Sequence, residues 1–126
     1  MPYKIHYEKE QDYISVTVEG KFALSTLKEL AAKVAENIEH YGCNRILNDM
    51  RLAKMTRGTI DIYNMPTTAS NEGVEKRCKR ALVVSEESSD FHFLETVFLN
   101  QGHNVKMFTD IDEAMRWLLN REDHKS

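Results

Sequence analysis

The chain begins with two short segments in which apolar and polar side chains alternate. Apolar residues stand at positions 3, 5 and 7 of the first segment and at positions 14, 16 and 18 of the second. Alternation with a period of two is typical of β-strands that have one buried face. Only residues 9–11 remain between them as a turn, so no helix fits there and the two strands must pair antiparallel. This hairpin constrains the fold most strongly, because every later strand has to join a sheet that starts with it.

Two helices carry clear start signals. Thr26 and Glu29 form a capping box, and apolar residues then recur at helical spacing until Gly42 ends the pattern. Asp110 and Glu113 form a second capping box. The helix that follows it carries an inward-facing apolar stripe, which consists of Ile111, Ala114, Met115 and Leu118.

Three more strands and two more helices lie between these helices. Residues 46–50 predict a short strand that ends at Asp49, and a polar, basic stretch continues to Gly58. Residues 59–73 predict an imperfect helix that Pro66 interrupts. Residues 81–84 are all apolar and predict a strand that is covered on both faces, in the interior of the sheet. A helix that ends at Gly102 precedes the last strand, at residues 105–108.

The predicted order is therefore ββαβαβαβα, which gives an α/β fold with a mixed sheet, an N-terminal antiparallel hairpin and about four α-helices. Strands that are separated by helices run parallel through right-handed crossovers. Residues 1–120 form one domain, and residues 121–126 form a solvated tail. Functional loops in such sheets follow the carboxyl ends of the parallel strands, which here means Asp49, Ser85 and Thr109.

Charge and composition exclude several classes of function. Among 126 residues, Lys plus Arg number 17 and Asp plus Glu number 20, so the net charge is −3. Two basic clusters, at residues 76–80 and 51–57, are expected at opposite edges of the sheet, so no nucleic-acid surface is predicted. No apolar run is long enough to span a membrane and no signal peptide is visible. Together with only two cysteines, Cys43 and Cys78, this favours a cytoplasmic protein.

Catalytic, metal and cofactor sites are not predicted. Most carboxylates near the strand ends fit first helical turns, where they cap backbone N–H groups. His92 and Glu95 share a helix face, but a metal needs three or four convergent ligands. Cys78 lies among basic residues without a base beside it in the sequence. An aromatic and thioether set either fills the core or lines an apolar ligand cavity under the last two helices; it comprises Phe91, Phe93, Phe98, Met107, Met115 and Trp117.

The element order and several core segments resemble the STAS domain of anti-sigma-factor antagonists, and the similarity is greatest to its stand-alone SpoIIAA-like branch. The segments are ILNDM at 46–50, RALVV at 80–84, FLETVF at 93–98 and FTD at 108–110, followed by Ala114, Trp117 and Leu118. The resemblance covers nearly the whole chain. The branch also resembles the CRAL-TRIO lipid-binding architecture, which implies a carrier or sensor of a small apolar ligand as the alternative function.

The STAS resemblance implies a non-enzymatic, regulatory protein-binding domain whose partner is a protein such as a kinase-type regulator. In that family a Ser or Thr shortly after an Asp at the end of the third strand is phosphorylated. Asp49 matches the Asp, but Arg51 stands where the hydroxyl is expected, and the nearest hydroxyls are those of Thr56 and Thr59. We expect the partner surface within residues 49–70. The residues predicted to bind the partner are Asp49, Arg51, Lys54, Arg57 and Tyr63.

Overall fold

The fold was derived from a computed structural model of the chain, which describes residues 3–22, 24–55, 78–85, 89–100 and 102–120. The described elements comprise five strands and three helices. In chain order they are β1 (Tyr3–Glu8), β2 (Tyr13–Phe22), α1 (Leu24–Tyr41), β3 (Arg45–Met55), β4 (Lys79–Val83), α2 (Ser89–Asn100), β5 (Asn104–Phe108) and α3 (Ile111–Leu119). The imperfect helix predicted at residues 59–73 and the predicted tail lie outside the described residues.

All five strands form one mixed sheet in the order β1-β2-β3-β4-β5. β1 and β2 pair antiparallel, which confirms the predicted hairpin. The pairs β2–β3, β3–β4 and β4–β5 are all parallel. β4 lies between β3 and β5, and residues 81–84 are buried, so the prediction of an interior strand covered on both faces is also confirmed.

Each face of the sheet has its own hydrophobic core. The first core packs under α1 and α2 and includes Ile14, Val16, Ile46 and Phe98. The second core packs under α3 and consists of Leu47, Ala81, Val83, Ala114 and Leu118 with their partly buried neighbours. Successive β4 residues point into opposite cores, which explains why a strand with two covered faces is apolar throughout.

The ends of α3 are held by two polar contacts. Asp110 is its N-cap, and the carboxylate of that residue accepts a hydrogen bond from the backbone N–H of Asp112, at 3.0 Å, as the capping signal predicts. At the other end, the Lys79 ammonium donates to the carbonyl oxygen of Trp117, at 2.5 Å, and lies 4.5 Å from the centre of its indole ring. A cation near the C-terminus of a helix interacts favourably with the partial negative charge at that end of the helix dipole.

Two predicted boundaries are wrong. α1 begins at Leu24, so Thr26 lies inside its first turn and is not the N-cap. β3 extends from Arg45 to Met55 and does not end at Asp49. Its extra length pairs with an equally unexpected extension of β2 as far as Phe22. Hydrogen bonding between two strands does not depend on side-chain polarity, so a charged stretch without periodicity can still form a strand.

Candidate functional site

The candidate site lies on β3 just beyond the end of its neighbour β4. β4 pairs with β3 only as far as Val83 opposite Asp49, whereas β2 continues to pair with β3 as far as Met55. Residues 51–55 of β3 are therefore paired with a strand on one side only within the described part of the chain. This is the carboxyl end of a parallel strand, the end at which open α/β sheets place their ligand sites.

A β-bulge separates this segment from the rest of β3. Thr17 pairs with Asp49, but Glu19 pairs with Leu52, so β3 has one residue more than β2 between the two pairs. The extra residue shifts the alternation of side chains. Met50 and Ala53 both pack against the first core although they are three positions apart. Bulges re-aim side chains at sheet edges and next to functional sites.

Asp49 and Arg51 form a fork-shaped ion pair at the bulge. The Arg51 Nε donates to Asp49 Oδ1 at 2.9 Å, and its Nη2 donates to Oδ2 at 2.8 Å. The backbone N–H of Arg51 also donates to Oδ1, at 3.2 Å. The side chains are 18% exposed for Asp49 and 42% exposed for Arg51. Bidentate pairing fixes the direction of both groups as well as their charge.

The pairing shifts the proton equilibria of both residues in the direction that keeps them charged. The hydrogen bonds from the Arg51 side chain hold the pKa of Asp49 below its usual value, against the opposing effect of partial burial. The hydrogen bond to Asp49 likewise raises the pKa of Arg51. The residue at the position that the STAS resemblance reserves for a hydroxyl is therefore a cation already engaged by the neighbouring carboxylate.

Leu52 is a feature of the site that the sequence did not suggest. It is 66% exposed, the highest value among the exposed large hydrophobic residues of the described chain. Its register partner Glu19 is exposed as well. From sequence alone, a leucine in a strand is expected to face the core. Nothing in the neighbouring residues indicates that Leu52 is exposed.

The other predicted partner-binding residues are less completely described. Lys54 lies in β3 and pairs with Lys21, and only its backbone position is described. Arg57 and Tyr63 fall outside the described residues, as do the hydroxyl residues Thr56 and Thr59.

The predicted aromatic set is divided between the two faces of the sheet. Phe98 and Met107 pack in or against the first core, under α2, whereas Met115 and Trp117 pack against the second core, with α3. The side chains of Phe91 and Phe93 are not described. The last two helices lie on opposite faces, so the described members of the set do not line one shared space.

The remaining candidate groups have structural partners. Glu95 accepts a hydrogen bond from the backbone N–H of Met107, at 2.6 Å. Cys43 and Cys78 are both buried, and neither forms a disulfide within the described part of the chain. Among the described residues, no three His, Cys, Asp or Glu side chains converge in a way that could hold a metal ion.

The two described cations of the basic cluster at residues 76–80 are both held by contacts within the fold. Lys79 contacts α3, and Arg80 is 7% exposed within the first core side of β4. Successive residues of a strand point to opposite faces of the sheet, so one of two adjacent basic residues can point inward. The run of charges in the sequence does not show which one does. None of the helices in the described part of the chain has the length and hydropathy that crossing a bilayer requires.

The chain was compared with known families, curated proteins and solved structures. No family model and no curated protein matches the sequence. Several solved structures match it in fold, and three of them follow. The anti-sigma factor antagonist SpoIIAA in its unphosphorylated form has a TM-score of 0.61 at 9% identity, and the alignment covers 94% of this chain and 98% of that one.

The other two structures agree with the first. An uncharacterized DUF3478-family protein with a SpoIIAA-like fold, from Shewanella loihica PV-4, has a TM-score of 0.60 at 16% identity, with 92% of this chain and 93% of that chain covered. The phosphorylated form of the Bacillus cell fate determinant SpoIIAA has a TM-score of 0.57 at 11% identity, with 91% and 98% covered. At these identities the likeness establishes architecture. The chain has the SpoIIAA-like fold of STAS domains.

Proposed function

We propose that the chain is a non-enzymatic, regulatory protein-binding domain that contacts its partner through the β3 extension. The described part of this surface consists of Asp49, Arg51 and Leu52, and the predicted part adds Lys54, Arg57 and Tyr63. The observation that carries the proposal is the 66% exposure of Leu52 beside a fork-paired carboxylate and guanidinium.

The chemistry of this surface fits a protein partner. Interfaces combine an apolar anchor with a polar surround, and arginine is enriched in them. Leu52 offers the apolar anchor. Arg51 has Nε and Nη2 directed at Asp49, so the pair presents a fixed arrangement of charge. Fixed charges favour partners with a complementary pattern and exclude others.

The structural neighbours support the regulatory class. Two of them are described as forms of an anti-sigma factor antagonist and cell fate determinant, one phosphorylated and one unphosphorylated. A kinase-type regulator is the partner class that the STAS resemblance implies for this chain. The buried Cys43 and Cys78, which form no disulfide in the described chain, suit a reducing compartment, so we place the interaction in the cytoplasm.

A pair of leucine variants tests the surface. Leu52→Ser removes the proposed anchor, and Leu99→Ser is the matched control, because Leu99 is 50% exposed on α2. Immobilised protein is used to capture partners from lysate, with quantification by mass spectrometry and circular dichroism to check each fold. We expect proteins that bind the wild type and Leu99→Ser to be lost with Leu52→Ser. Equal capture by both variants would refute the proposed surface.

Charge reversal and hydroxyl removal form a second arm of the same test. Arg51→Glu combined with Arg57→Glu should abolish binding. Circular dichroism checks that the variant still folds, because Arg51→Glu also removes the pair with Asp49. Thr56→Ala and Thr59→Ala should leave binding unchanged, since Arg51 occupies the position at which the family carries its acceptor. Loss of binding with either alanine would instead favour a phosphorylation switch.

The alternative is a carrier or sensor of a small apolar ligand. Native mass spectrometry of the protein purified from cells distinguishes it, since a carrier should retain a fatty acid or a similar molecule. Added ligand should also raise the thermal midpoint by mass action. A bound apolar molecule together with unchanged protein capture by Leu52→Ser would replace the protein-binding proposal.

A further inference from the structure

A buried arginine and a buried histidine contact each other on the first-core side of the sheet. Arg80 of β4 is 7% exposed, and His103, just before β5, is 3% exposed. The Arg80 Nη2 donates a hydrogen bond to His103 Nδ1. This bond joins β4 to the connection between α2 and β5, at the end of the sheet opposite the candidate site.

The position of His103 is fixed by its backbone. The N–H of His103 donates to the carbonyl of Phe98 at 3.0 Å, and the N–H of Gly102 donates to the carbonyl of Leu99 at 3.0 Å. Together these two bonds make a Schellman motif, in which Gly102 adopts its φ of 87°. The imidazole therefore reaches Arg80 from the capped end of a helix.

The Phe98 ring restricts both side chains. It lies edge-on to the His103 ring, with centroids 5.1 Å apart and an interplanar angle of 88°. The guanidinium carbon of Arg80 lies 5.0 Å from the centre of the same ring. Movement of either polar side chain away from the other would disturb this packing.

Few groups near Arg80 balance the positive charge of its guanidinium. Arg80 forms no ion pair with a described carboxylate, and its buried Nε has no hydrogen-bond partner. Burial lowers the pKa of Arg80 to about 10, so the group is still charged at neutral pH. A second positive charge at the Nδ1 of His103 would meet this cation directly.

The surrounding described groups offer few other charges. Cys78, just before β4, acts electrostatically on Arg80 and favours its charged form. On β4, the ammonium of Lys79 contacts α3 on the other face. α2 contributes the Phe98 ring, and its Glu95 carboxylate is engaged by Met107 of β5. The register partners of Arg80 are apolar, namely Ile46 on β3 and Val105 on β5.

We propose that the Arg80–His103 pair is an acid-sensitive switch that holds the α2–β5 unit against β4. The Nδ1 of His103 accepts the bond from Arg80 only while it carries no proton. Protonation replaces this bond with repulsion between two buried cations, so the folded state opens at this connection before His103 becomes charged. Unfolded histidine takes up a proton near pH 6.5. The opened chain therefore binds one more proton than the closed fold, and stability falls as the pH decreases through this range.

Urea unfolding at pH 7, 6 and 5 tests the proposal with three forms of the protein. His103→Asn removes the titrating ring but retains an oxygen that can accept from Arg80. His92→Asn is the matched control, because His92 is exposed on α2. One excess proton in the unfolded state raises the unfolding equilibrium constant about tenfold for each pH unit. We expect this extra increase between pH 6 and pH 5 in the wild type and in His92→Asn, and its absence in His103→Asn. The same pH dependence in all three forms would overturn the proposal.

The wild type alone provides a second measurement, which does not depend on the folding of any variant. Nitrogen-15 NMR of the imidazoles reports the tautomer and the charge of each histidine. We expect His103 to keep an unprotonated Nδ1 in the folded protein from pH 7 to pH 5. A His103 ring that takes up a proton in this range, with the fold intact, would refute the switch.

Discussion

The Glu95 carboxylate on α2 accepts a hydrogen bond from the backbone N–H of Met107 on β5, at 2.6 Å. β5 is the last strand of the described sheet, and this N–H faces away from β4, on the edge at which another strand would pair. A side chain from the protein itself occupies it. Unprotected edge strands pair readily with other chains, and natural proteins cover or charge them.

Removing this cover should make the protein self-associate. Glu95→Ala leaves the edge N–H of Met107 without its acceptor, so we expect a loss of about 1 kcal/mol in the free energy of unfolding and a concentration-dependent increase in mass. Light scattering after size-exclusion chromatography measures the mass. Glu95→Gln, which keeps an acceptor oxygen, should remain close to the wild type. Identical behaviour of the alanine and glutamine variants would show that Glu95 does not protect the edge.

The pairing with Arg51 should be measurable as a lowered pKa of the Asp49 carboxyl. Arg51→Gln removes the hydrogen bonds that hold the pKa of Asp49 low, so we expect that pKa to rise towards its ordinary value. The pair stabilises the fold at pH values above the ordinary pKa of an Asp carboxyl. This stabilisation is lost as the pH falls through the lower pKa that Asp49 has in the folded state. Carbon-13 NMR of the Asp49 carboxyl measures the midpoint. Arg116→Gln, an exposed change on α3, should leave it unaltered.

A hydrogen bond within the β1–β2 hairpin should make the free energy of unfolding decrease at alkaline pH. The Tyr7 hydroxyl donates to Asp12 Oδ1 at 2.7 Å, and this bond, with burial and the Asp12 charge, raises the pKa of Tyr7 to about 12. An unfolded tyrosine loses its proton near pH 10, so stability should be intact below about pH 10 and decline between about pH 10 and 12. Tyr7→Phe should flatten this decline in urea unfolding. Tyr41→Phe keeps the ring that stacks on Tyr7 at 4.0 Å and should follow the wild type.

A charge in the interior strand should unfold the protein. Leu82 is 6% exposed in the first core, so Leu82→Asp should lower the free energy of unfolding by about 4 kcal/mol or more, because the carboxylate is removed from water in a strand that is covered on both faces. Leu52→Asp is the comparison and should change it by about 0.5 kcal/mol or less, since Leu52 is exposed. Thermal melting of both variants checks the difference. Similar melting temperatures would contradict the burial assigned to β4.

The sequence predicted those parts of the fold that depend on local pattern. Strict alternation identified the hairpin, and the Asp110 cap identified the start of α3. The Schellman end of α2 was visible as Gly102. The apolar run of β4 indicated a strand covered on both faces, because no other strand environment tolerates it.

The parts that the sequence missed depend on pairing between distant segments. The length of β3 is set by an extension of β2 about 30 residues earlier, with which it pairs after a bulge. The exposure of Leu52 follows from that bulge. The burial of Arg80 follows from the position of β4 between two other strands. Asp49 was identified by resemblance, whereas its pairing with Arg51 was visible only in three dimensions.

The packing of α3 also affects how the chain folds during synthesis. The second core joins Leu47 and Ala81 to Ala114 and Leu118, which are translated much later. Synthesis proceeds at roughly 5–20 residues per second, so this face of β3 and β4 stays without its helix for some seconds while the intervening residues are made. Apolar strands exposed for that time are targets for chaperones and for aggregation. Mutations that slow the docking of α3 should therefore reduce the yield of folded protein more than they reduce its equilibrium stability.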